Sequence, residues 1–172
     1  MFVLFLIVTT TSPAFQKRDH LTTQEVDLVK ENQVLDKRIE VFIKAAERRV
    51  MVINGTAAAN AKQLKKDAEK WGELPAGSRF DLVGDIALIF DEAITNIDDV
   101  VTRDERNPLV PKATRKLAAS VTIIMEQLKP LKAEAKTEAE ISSLEKLNEN
   151  AEQILAAATK LPPEVDKKAK KN

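Results

Sequence analysis

The chain has 172 residues, 44% hydrophobic and 31% charged, which is enough for one domain with its own core. Its 27 basic and 27 acidic side chains cancel, which speaks against a nucleic-acid binder unless the charge is segregated locally. With no cysteine, disulfides, thiolate metal sites, iron–sulfur clusters and a cysteine nucleophile are excluded, and four Gly with 4% aromatics favour helices over a turn-rich β architecture.

Residues 2–8 form an unbroken apolar run, followed by three threonines and Ser12-Pro13-Ala14. Small residues at Ser12 and Ala14 place a signal-peptidase-like cut after Ala14, so 1–14 reads as a signal peptide and the mature protein as periplasmic or extracellular. The run is far short of the roughly 20 apolar residues a span requires, so no stable membrane span is expected after processing. If the segment is not a signal, the protein stays cytoplasmic.

The remainder reads as an all-α, antiparallel bundle of four to five helices over 15–163. A capping box, Thr22-Thr23-Gln24-Glu25, opens a first helix over 22–53, with Leu28, Leu35, Ile39, Phe42, Ala46 and Ile53 on one stripe. Arg48 and Arg49 suit its C-terminal dipole, and Asn54-Gly55 ends it. A second, alanine-rich helix over 56–72 carries Leu64 and Trp71 and buries little. Ser78 caps a third over 79–102, apolar on more than one side through Val83, Ile86, Ala87, Ile89, Phe90, Ile94 and Ile97.

Pro111 fits the first turn of a fourth helix over 111–136, whose stripe runs Val110, Thr114, Leu117, Val121, Ile124, Leu128 and Leu131. Pro130 interrupts it, and since Leu128 and Leu131 keep the spacing, a kink is expected there. Thr137 and Glu140 form a capping box for a fifth helix over 138–160, closed by Pro162-Pro163. Residues 164–172, with Lys167, Lys168, Lys170 and Lys171, read as a disordered tail. Short connections should set consecutive helices antiparallel.

Few constellations could carry chemistry. On the third helix Asp85, Glu92 and Asp99 recur every seven residues, offering a cation site or a docking stripe for a basic partner. The plainer reading is a solvated face lying beside Lys112, Arg115, Lys116, Lys129, Lys132 and Lys136 of the fourth helix. A regular helix does not converge carboxylates on one ion as a calcium loop does. Di-iron bundles need Glu-x-x-His pairs, and this chain has one histidine, His20, which reads as a solvated linker residue. Met51 and Met125 sit in no haem-ligand motif. There is no G-x-S-x-G elbow and no Gly-rich phosphate loop, so no catalytic, cofactor or metal residue is nominated and no enzyme is expected. Trp71 is either an exposed anchor for a partner or a plug at the bundle end.

Residues 16–22, 26–29, 38–45, 66–72 and 107–112 together resemble a group of uncharacterised secreted helical-bundle proteins of bacteria. That resemblance implies an exported helical bundle and carries over no functional residue. Leu21-Thr22-Thr23-Gln24 is similar to the Leu-Thr-x-x-Gln motif of small periplasmic stress chaperones, one residue shorter. The expectation is therefore an exported, non-enzymatic protein that binds another protein or the cell envelope. Its rivals are a periplasmic holdase, which needs an exposed apolar concave face, and an enzyme or cofactor carrier of unfamiliar type.

Overall fold

A computed structural model describes residues 19–162; the signal-like 1–14 segment and the tail at 164–172 lie outside them. The described chain is all-helical: α1 (Thr23–Glu31), α2 (Leu35–Ile53), α3 (Ala61–Trp71), α4 (Arg79–Arg103), α5 (Leu109–Leu128), a 3₁₀ turn (Lys129–Ala133) and α6 (Glu138–Thr159).

Four helices make the bundle. Both α2 and α6 pack on α4 and α5, so the order around the ring is α2–α4–α6–α5, with α4 and α5 on a diagonal. Arg38 meets Asn96 and Arg49 meets Asp85, which makes α2 and α4 antiparallel. Met125 faces Leu144 and Leu117 faces Ile154, so α5 and α6 are antiparallel too. Consecutive long helices thus alternate in direction, as short connections require. Two neighbouring pairs are nonetheless parallel, because the short 104–108 connection crosses the end of the bundle. Asp36 pairs with Lys112 and Glu40 with Lys116 along α2 and α5, and Asn150 reaches Ala87 along α4 and α6.

The apolar stripes meet inside this ring. Ile39, Phe42, Leu82, Ile86, Ile89, Phe90, Leu117, Ile124, Leu131 and Leu147 are each at most 2% exposed. Two polar residues sit among them with their needs met: Thr114 Oγ1 donates to the Val110 carbonyl, and Asn150 Nδ2 to the Ala87 carbonyl.

Three expected boundaries are corrected. The first helix is not continuous over 22–53: the chain breaks at 32–34. Asn32 Nδ2 turns back to the Leu28 carbonyl at 2.7 Å, and Arg38 Nε takes the Asn32 carbonyl at 2.9 Å, so neighbouring side chains satisfy the interrupted backbone. The second helix starts at Ala61 rather than 56, because the peptides after Gly55 (φ +65°) form turns tied by Asn60 Nδ2 to the Thr56 carbonyl. The fourth α-helix does not kink and run on to 136. It stops at Leu128, and the chain continues as the 3₁₀ turn, whose tighter winding accommodates the missing N–H of Pro130 while keeping both Leu128 and Leu131 buried. The two expected capping boxes, Thr22–Glu25 and Thr137–Glu140, are formed, and the Ser78 cap proves to be a third box with Asp81.

Candidate functional site

The break at 32–34 has a chemical result. In an unbroken helix, residues 25 and 48 would stand about 35 Å apart at 1.5 Å per residue. Folding α1 back on α2 brings Glu25 onto Arg48 and Arg49, and all three side chains are at most 1% exposed.

Glu25 serves two tasks at once. Its Oε2 accepts from the Thr22 backbone N–H at 2.9 Å, closing the capping box, and from Arg49 Nη2 at 2.8 Å. Its Oε1 accepts from Arg48 Nε at 3.3 Å and Arg49 Nη1 at 3.1 Å. Four donors therefore occupy one buried carboxylate, leaving it no lone pair for base catalysis.

The two arginines carry the cluster outward. Arg49 donates to the Ala45 and His20 carbonyls, and its Nε stands 3.5 Å from Asp85 Oδ2 on α4. Arg48 Nη2 donates to the carbonyls of Trp71, Gly72 and Glu73, and its guanidinium lies 5.7 Å from the centre of the Trp71 ring. Burial pushes the Arg48 guanidinium below its ordinary value, with Glu25 opposing; it remains a cation. The cluster thus ties the N-terminal lead, α1, the end of α3 and α4 to α2.

Gly72 makes the Arg48 contacts possible. Its φ of +62° with ψ of −162° is a glycine conformation, and a Cβ there would come within 2.8 Å of the Gln24 side chain. This turn points three successive carbonyls at one guanidinium.

The residues singled out in the sequence are separated by this arrangement. Asp85 is buried beside Arg49, Glu92 is half-buried beside His20, and Asp99 alone is fully exposed. They do not form one exposed stripe. Trp71 is buried against Leu28 and Val41. Nor does α4 lie beside the cations of α5. Lys112 and Lys116 pair with Asp36 and Glu40 of α2, while Arg115 donates to the Pro162 carbonyl, because α4 and α5 face each other only across the diagonal. Lys112 holds the Asp36 carboxyl below its ordinary range.

His20 is no solvated linker residue. Its side chain is 20% exposed, with Nε2 3.1 Å from Glu92 Oε1 and Nδ1 3.6 Å from Asp19. The Glu92 carboxylate raises the imidazole pKa against the opposing effect of burial, and Asp19 and Asp85 add to the rise. A raised value contributes stability that is fully present below about pH 6.5 and is lost as pH climbs through the folded-state value. The melting temperature of the wild type should therefore fall more steeply as pH rises above about 6.5 than that of His20→Asn. Parallel curves would show that the contact with Glu92 does not form in solution.

Among the described residues, no three His, Asp or Glu side chains converge as a metal site would need. Their exposed large apolar side chains, Val34, Leu88, Ile123 and Ile141, stand on different elements. No family model matches the chain, and no curated protein or solved structure does either.

Proposed function

We propose that this protein is an exported, non-enzymatic helical bundle that works by binding another protein or the cell envelope through its outer helix faces. The observation that carries the reading is how the ionisable groups are used. Glu25, Arg48, Arg49 and Asp85 are turned inward on one another, where they hold the fold together. Many other charges stand on outer faces, among them Lys62, Lys65, Lys66 and Lys70 on α3, and Asp91, Asp98 and Asp99 on α4. Export rests on the apolar run at 2–8 followed by Ser12-Pro13-Ala14. The likeness to secreted helical-bundle proteins of bacteria supports the same location. Among the described residues no helix is long and apolar enough to cross a membrane.

In-cell crosslinking of the tagged protein, followed by mass spectrometry, tests both halves. Envelope or secreted partners are expected. Recovery of cytosolic ribosomal or metabolic neighbours alone would defeat the export reading.

A further inference from the structure

The Asp36–Lys112 and Glu40–Lys116 pairs fix the register of the parallel helices α2 and α5. Carried forward, that register sets Glu47 beside Ile123 and Met51 beside Gln127. Each helix turns one face to the seam: Glu47, Met51 and the capping Asn54 from α2, and Ser120, Ile123 and Gln127 from α5 at 3–4 spacing. With the turns at 54–60 and the first turn of α3 they line an open cleft of about 500 Å³, within the roughly 300–1,000 Å³ of small-ligand sites.

The polar groups of this cleft are not spent on the fold. Among the described residues, the side chains of Glu47, Asn54, Ser120 and Gln127 make no hydrogen bond. Partial withdrawal from water pushes the Glu47 carboxyl above its ordinary value, with Lys44 opposing. Lys44 is the one cation among the lining residues, and Asp67 takes it at 3.3 Å. An anionic ligand would therefore find no free cation to pair with. Between Ser120 and Gln127 stands Ile123, 59% exposed, which gives that wall an apolar face.

Uncharged amides and a hydroxyl beside an apolar wall match a polyhydroxylated ring: its hydroxyls both donate and accept, and its C–H face is apolar. A peptide is served less well. The described chain offers no strand edge to an extended peptide, and the cleft is too polar for the apolar side of a helix. We infer that the α2–α5 cleft binds a neutral N-acetylated glycan, with Glu47, Asn54, Ser120 and Gln127 on its hydroxyl and amide groups and Ile123 against a ring face. This deepens the envelope-binding reading and rests on it. One carboxylate lines the cleft, whereas glycoside hydrolysis canonically takes two, so its assignment is to binding.

The test is isothermal titration calorimetry of the full chain with the tetramer of N-acetylglucosamine. Saturable binding with a dissociation constant of about 1 mM or tighter is expected. Asn54 and Gln127 are exposed, so N54A/Q127A should keep its helicity and thermal midpoint while binding at least about fivefold more weakly. Ile123→Ser, which keeps every charge, should also bind less well. Leu88→Ser removes an exposed apolar side chain of α4 outside the cleft and should bind as the wild type does. No saturable binding, or equal binding by N54A/Q127A, would overturn the proposal. Equal losses in Ile123→Ser and Leu88→Ser would reduce the interaction to general apolar adhesion and overturn it too. A blocked tetra-alanine peptide bound as tightly as the tetramer would make the cleft a peptide site and overturn the glycan assignment. Failure to bind the tetramer with envelope partners still crosslinked would sink this inference alone. Tetramer binding by a protein crosslinked only to cytosolic neighbours would instead sink the export reading.

Discussion

Glu25→Gln should lower the thermal midpoint by about 10 °C, one of the two largest effects expected of any single substitution. The variant leaves Arg48 and Arg49, each 1% exposed, without the carboxylate that their guanidinium groups share. Removing one member of a buried ion pair typically costs about 3–5 kcal/mol, because the remaining charge stays desolvated and unmatched. For a domain of this size each kcal/mol moves the midpoint by about 2–4 °C. A double-mutant cycle with Arg49→Met isolates the pair: the second substitution should cost far less in the Glu25→Gln background than in the wild type. A shift below about 2 °C for Glu25→Gln would mean that water reaches the cluster and screens it.

Phe90→Ala should be comparably severe, for a different reason. Phe90 is 1% exposed in the main core, and emptying such a site costs about 3–5 kcal/mol through lost transfer energy and the cavity left behind. Leu88→Ala, two residues away on the same helix and 40% exposed, should cost at most about 0.5 kcal/mol. Chemical denaturation of the two variants measures the contrast directly. Similar losses from both would place the wrong face of α4 against the bundle.

The same contrast explains what the sequence made legible. A 3–4 apolar spacing reports which side of a helix is covered, and Ile39, Phe42, Ala46, Phe90, Leu117, Val121, Ile124 and Leu147 are all buried as that spacing requires. Capping signals are equally local: the two boxes expected at Thr22 and Thr137 formed, and Ser78, expected as a simple cap, makes a box with Asp81. What stayed hidden is non-local. Arg49 follows Ala46 by three and precedes Ile53 by four, so it occupies a stripe position, yet it read as a dipole charge until α1 was seen to fold back over it. Glu31 and Asn32 occupy the positions three and four after Leu28, so the apolar stripe skips from Leu28 to Leu35, and that skip is where the helix breaks. Asn150 and Asp85 likewise sit at core spacing with polar side chains, and in each case the partner lies on another helix.

The ring order bears on when this chain can acquire its shape. Because α4 and α5 stand on opposite corners, neither finds full cover until α6 slots between them. A chain that stops at the 3₁₀ turn has no closed interior, because the stripes of α4 and α5 that α6 covers stay open. The interior closes only when α6 joins the other three helices, so a chain without it should show helices but no cooperative unfolding.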